Sequence, residues 1–121
     1  MKILAIDDSK SALTQIEFFV KNTIPNADVL KVRNPSEGLE IGLNLGDELA
    51  LLIIDYNMEG MNGIELIDAL LPKISPSKMV LCTGNNQPSL KAEAEKRGIF
   101  FVNKAELQLQ LKSILTSILQ T

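Results

Sequence analysis

The chain has 121 residues, 45% of them apolar, which suffices for one hydrophobic core and leaves too little for a second folded domain of ordinary size. Its 12 basic residues are scattered and its net charge is −3, which argues against a surface that grips nucleic acid, where clustered Lys and Arg must neutralise phosphates. No run approaches the roughly 18 consecutive apolar residues of a membrane span. The amino terminus passes from Ile3 to Ile6 straight into Asp7 and Asp8 with no signal-peptide pattern, so a cytoplasmic location is expected. One cysteine, Cys82, cannot close an internal disulfide, and without histidine any metal must be a hard ion on oxygen ligands.

In chain order, Lys2–Ile6 reads as a first strand. The following stretch places Leu13, Ile16, Val20 and Ile24 on one helical stripe. Ala27–Val32, interrupted by Asp28 and Lys31, suits an edge strand. A second helix opens at Asn34, with Pro35 at its first position, Glu37 in its first turn, Leu39 and Leu43 as its apolar residues and Gly46 as its stop. Residues 49–54 read LALLII, an unbroken apolar run suited to a strand covered on both faces. The third helix carries Ile64, Ile67 and Leu71 ahead of Pro72. A fourth strand spans Lys78–Cys82, and a fourth helix, poor in apolar residues and therefore expected to be loosely held, runs from about Pro88 to Arg97 and closes at Gly98. Ile99–Val102 is the fifth strand, and Glu106 to Leu119 the last helix, with Leu107, Leu111, Ile114, Leu115 and Ile118 on one side. Strand and helix alternate throughout 1–121, predicting one α/β domain with an open, doubly wound parallel sheet.

In such sheets ligands bind at the carboxyl ends of the strands, where the winding direction reverses. The residues with chemical potential fall there: Asp7 and Asp8 after the first strand, Asp55 after the third, Thr83 after the fourth and Lys104 after the fifth. Carboxylates brought close repel one another and recruit protons or a cation. An incomplete shell of oxygen ligands suits Mg²⁺, which keeps several waters and accepts a phosphate oxygen. An aspartate nucleophile forming an aspartyl phosphate is chemically sound in that setting, with Lys104 and the Thr83 hydroxyl available to the transferred oxygens. Singly, each feature has an ordinary reading: Asp7, Asp8 and Ser9 as a helix cap region, Asp55 and Thr83 as turn residues, Lys104 as a solvated strand end.

Taken in order, Asp7-Asp8, the segment DYNMEGMNG from Asp55 to Gly63, Thr83-Gly84 and Lys104 resemble the receiver domain of two-component response regulators, over nearly the whole chain. The resemblance implies the flavodoxin-like strand order 2-1-3-4-5 and five helices on two faces. It implies Asp55 as phosphoacceptor, with Asp8 and Asp55 as direct Mg²⁺ ligands, Asp7 acting mainly through water and Asn57 through its backbone carbonyl. Thr83 and Lys104 match the phosphoryl-sensing pair, and Phe101 falls where the family carries an aromatic switch, although ordinary core packing explains a phenylalanine equally well.

The implied partners are a histidine kinase or phosphotransfer protein and a downstream protein engaged through the last helix, where Leu109 lies off the apolar stripe, and its neighbouring strand. The chemistry is self-phosphorylation and slow hydrolysis rather than turnover of a substrate. Two positions depart from the family. Ala105 replaces the usual proline after the lysine, so the Lys104–Ala105 peptide is expected to be trans. Glu59 replaces another proline and adds an acid near the metal loop, where it is expected to alter cation affinity or phosphoryl lifetime. The competing readings are a receiver-like interaction module that works without phosphorylation, and a flavodoxin-like enzyme or carrier. The latter needs a Gly/Ser/Thr-rich phosphate loop after the first strand, where this chain has Asp7-Asp8-Ser9-Lys10.

Overall fold

The computed structural model describes residues 1–84 and 87–120. Five parallel strands, β1 (Lys2–Ile6), β2 (Asp28–Val32), β3 (Leu49–Ile54), β4 (Met79–Thr83) and β5 (Phe100–Asn103), form one sheet in the order β2-β1-β3-β4-β5. This is the expected flavodoxin-like winding. β1 and β3 have the predicted limits, while β2, β4 and β5 each begin one residue later than their sequence patterns suggest.

Because side chains alternate across a strand, the central strands feed two cores. Ile3, Ala5, Leu51, Ile53, Val80 and Cys82 face α1 (Lys10–Thr23) and α5 (Leu107–Leu119). Leu4, Ile6, Leu52, Ile54, Met79 and Leu81 face the side covered by α2 (Pro35–Leu45), α3 (Gly63–Leu70) and α4 (Pro88–Arg97). Burial on both faces accounts for the absence of polar alternation in β3.

α1, α2 and α3 start where capping side chains satisfy the first free N–H groups. The Ser9 side chain accepts from Ala12 N–H, Asn34 from Ser36 and Glu37 N–H, and Asn62 forms a reciprocal capping box with Glu65. α1 buries Leu13, Ile16 and Val20 as predicted. α2 does not use its leucines as the sequence suggests: Leu43 is exposed and Leu39 half-buried, whereas Pro35, Gly38 and Gly42 face inward. A Cβ at Gly38 would collide with Ile6, and one at Gly42 would lie 2.8 Å from Leu70 Cδ2. Close approach of α2 to β1 at Gly38 and to α3 at Gly42 selects the small residues. α3 likewise buries Leu66, Ile67 and Leu70, so only Ile67 of the predicted stripe is fully covered.

α4 buries just Leu90 and Ala94. Its carboxyl end is fastened by polar contacts instead: Arg97 Nε and Nη2 donate to Asp68 Oδ1 and Oδ2 at 2.6 and 2.9 Å, and Nη1 donates to the Glu93 carboxylate. The forked guanidinium thus ties α4 to α3, an arrangement of fixed geometry that a lysine cannot reproduce. It holds the carboxyls of Asp68 and Glu93 below their ordinary range. Arg97→Ala is expected to accelerate amide hydrogen exchange in α4 by about two- to tenfold, leaving β1 and β3 unchanged; equal exchange in the variant would remove this role.

A single 3₁₀ turn, Lys104–Glu106, precedes α5, which therefore begins one residue later than predicted. No cis peptide occurs among the described residues, so the Lys104–Ala105 bond is trans. Alanine there leaves an N–H that proline would lack, and the Asn103 side chain accepts it at 2.9 Å. No helix among the described residues is long and apolar enough to cross a membrane.

Candidate functional site

The winding reverses at β1, whose neighbours are β2 on one side and β3 on the other. The carboxyl ends of β1 and β3 deliver Asp7, Asp8 and Asp55, and one ligand atom from each lies within 4.8 Å of the others. The backbones beneath them are held by the sheet: Asp7 N–H donates to the Val32 carbonyl at 3.0 Å and Asp55 N–H to that of Ile6 at 2.9 Å. Asp7 and Asp55 are buried, 1% and 5% exposed, whereas Asp8 lies at the surface.

Asp7 Oδ1 accepts from Ser9 N–H at 2.9 Å. From the end of β5, Lys104 Nζ enters between the acids, 2.7 Å from Asp7 Oδ2 and 3.3 Å from Asp55 Oδ1. Its approach to Asp7 Oδ2 is an ion pair without good hydrogen-bond direction, and that buried oxygen accepts no hydrogen bond from the described residues. One ammonium therefore pairs with two of the three carboxylates. Burial first, and then the charge of Asp7, push the Asp55 carboxyl above its usual range, with Lys104 opposing. The paired acids raise Lys104 above its ordinary value against the effect of burial. An under-satisfied buried oxygen and excess negative charge within a few ångströms make an oxygen-ligand site suited to a hard divalent cation.

Thr83 is the last residue of β4 and is fully buried, paired in register with Asn103, the residue before Lys104. Since Ile54 pairs with Leu81, Thr83 stands one step beyond the level of Asp55. Phe101 is half-buried and packs on the α2–α3–α4 side. Asn57 is exposed on the loop after Asp55, as is Glu59. Cys82 sits in the sheet beneath the site, its thiol pushed up to about 12 chiefly by burial, which suits a packing role.

Two contributions to the site carry no role in the sequence reading. Gly63, at the start of α3, packs against the Asp55 carbonyl with no room for a Cβ, and its N–H donates to the Tyr56 carbonyl at 2.9 Å. Arg33, just after β2, donates from Nε and Nη2 to the Asp8 carbonyl at 3.3 and 3.2 Å. A pattern at the glycine hints at a tight loop; an isolated arginine 25 residues from its acceptor gives no local signal.

Comparison with known proteins gives a consistent picture. The family model of the response regulator receiver domain matches residues 3–116. The chemotaxis protein CheY of Listeria monocytogenes is 27% identical over 100 residues, covering 81% of this chain and 80% of that protein. The nitrate/nitrite response regulator protein NarL of Escherichia coli is 32% identical over 96 residues, covering 79% of this chain; the match spans 44% of NarL. A response regulator receiver domain protein from Clostridium thermocellum superposes with a TM-score of 0.83 at 25% identity, covering 98% of this chain and 94% of that one. With the family model extending across nearly the whole fold and all four strand ends that form the site, the chain belongs to the response regulator receiver domain family.

Proposed function

We propose that this chain is a phosphoacceptor switch in which Asp55 takes a phosphoryl group from a histidine kinase or phosphotransfer protein and thereby changes a partner-binding surface. The observation that carries the reading is Lys104 Nζ standing 2.7 Å from Asp7 and 3.3 Å from Asp55 beside a three-carboxylate cluster. That arrangement leaves a nucleophilic carboxylate, a cation for the incoming phosphoryl oxygens and a place for a divalent metal at one sheet edge.

Receiver domains bind Mg²⁺ through an acidic pocket, and the donor set here fits it. Asp8 and Asp55 would ligate directly, Asp7 through water and Asn57 through its backbone carbonyl. The bound cation would supply positive charge to the transferred phosphoryl oxygens. Transfer breaks the donor's P–N bond and forms a bond from phosphorus to an Asp55 carboxylate oxygen, and the departing imidazole takes up a proton from solvent. Lys104 shifts its pairing toward the new phosphoryl oxygens, the Thr83 hydroxyl donates to another, and Phe101 repacks as Thr83 moves. The changed surface comprises α5 and β5, which would engage a downstream protein partner.

The test is incubation with acetyl phosphate in Mg²⁺ or EDTA, read by intact mass. One phosphoryl group is expected per chain with Mg²⁺ and none with EDTA. A folded protein that gains no adduct under either condition would favour the phosphorylation-independent module.

A further inference from the structure

Asp8 occupies an awkward place for a metal ligand. It is exposed, it follows the last residue of β1 by two positions, and it precedes α1, so neither a strand ladder nor a helix holds its backbone. Asp7 beside it is anchored by the Val32 carbonyl, Ser9 N–H and Lys104. Among the described residues, the long-range hydrogen bonds to Asp8 come from Arg33, whose Nε and Nη2 both donate to its carbonyl, at 3.3 and 3.2 Å. A guanidinium fork with two donors on one oxygen restrains both the direction and the distance of that peptide.

We infer that Arg33 is a positioning residue for the acidic site, bracing the Asp8 peptide against the end of β2 so that the Asp8 carboxylate is presented to the cation with little reorganisation. The inference rests on the phosphoacceptor reading. Residues that orient a metal ligand from behind raise metal affinity although they never touch the ion. Arg33 also carries a positive charge close to the cluster, and simple repulsion would make the same residue weaken cation binding. Bracing and repulsion therefore predict opposite signs, and the experiment reads the sign.

Mg²⁺ binding is titrated on wild type and Arg33→Ala by calorimetry and by the fluorescence of Tyr56, which adjoins Asp55 and is the single tyrosine of a chain without tryptophan. Arg33→Ala is expected to raise the Mg²⁺ dissociation constant about three- to tenfold, the range of one modest hydrogen-bonded restraint. The half-saturating Mg²⁺ for phosphorylation by acetyl phosphate should rise by the same factor, with the rate at saturating Mg²⁺ preserved. The thermal midpoint in EDTA should fall only slightly, because Arg33 is a surface residue outside both cores and its charge and hydrogen bonds are solvent-exposed. Arg33→Lys, which can still donate to the carbonyl, should bind Mg²⁺ more tightly than Arg33→Ala. Unchanged or tighter binding in Arg33→Ala, with wild type binding Mg²⁺ normally, overturns the inference alone. Absence of Mg²⁺ binding in wild type overturns the phosphoacceptor reading and the inference with it.

Discussion

Replacing Asp55 with Asn is expected to abolish phosphoryl incorporation from acetyl phosphate while making the metal-free protein more stable at neutral pH. The first effect follows because an amide oxygen lacks the charge and basicity of the carboxylate nucleophile. The second follows from the site's charge balance. Burial and the neighbouring Asp7 raise the Asp55 carboxyl above its usual range, and the opposing pull of Lys104 does not fully compensate. A carboxyl whose pKa is higher folded than unfolded disfavours the folded state once ionised. That cost is absent below the unfolded value, grows as pH rises through the folded one and is complete above it. Asparagine removes it. In EDTA at pH 7 the thermal midpoint of Asp55→Asn should exceed that of wild type by roughly 2–6 °C, with the gap closing as pH falls toward the ordinary carboxylate range. Adding Mg²⁺ should raise the midpoint of wild type much more than that of the variant, since binding to the folded state alone stabilises it. A midpoint below wild type in EDTA would show that the pairing with Lys104 outweighs burial and repulsion.

Gly63→Ala should be the most damaging single-methyl addition at the site, costing about 2–4 kcal/mol. The new Cβ would overlap the Asp55 carbonyl oxygen and lie 2.9 Å from Tyr56 Cα, and neither is a flexible side-chain tip that could swing away. Relief requires moving either α3 or the end of β3, and either motion displaces the Asp55 carboxylate from Lys104. Urea unfolding should therefore show lower stability, and phosphorylation should slow even in the folded fraction. Gly84→Ala is the control, because a Cβ there meets nothing within 4 Å. Similar losses in the two variants would mean that steric approach is not what requires glycine at position 63.

Much of the architecture could be read from local patterns. β1 and β3 were legible to the residue because both faces of each strand are covered, so β3 is apolar throughout and β1 is apolar after its exposed first residue, Lys2. The caps at Asn34 and Gly46 and the stop at Gly98 were legible because they depend on one residue's side chain or backbone freedom. The inward face of α2 was not. Its leucines imply one face, but the close approach of α2 to β1 and to α3 decided the matter, with Gly38 lying against Ile6 of β1 and Gly42 against Leu70 of α3. The weak apolar content of α4 was visible, yet its fastening by Arg97 to Asp68, 29 positions away, was not.

By itself the sequence determined the order of strands and helices and which reactive groups follow which strand, because periodicity, caps and apolar runs act over a few residues. Tertiary structure alone decided the partnerships: Lys104 with Asp7 and Asp55, Arg33 with the Asp8 carbonyl, Gly63 against the Asp55 carbonyl. Each depends on how two distant elements lie against each other to within an ångström or two. That placement emerges from packing the whole core around the sheet rather than from any short stretch of chain.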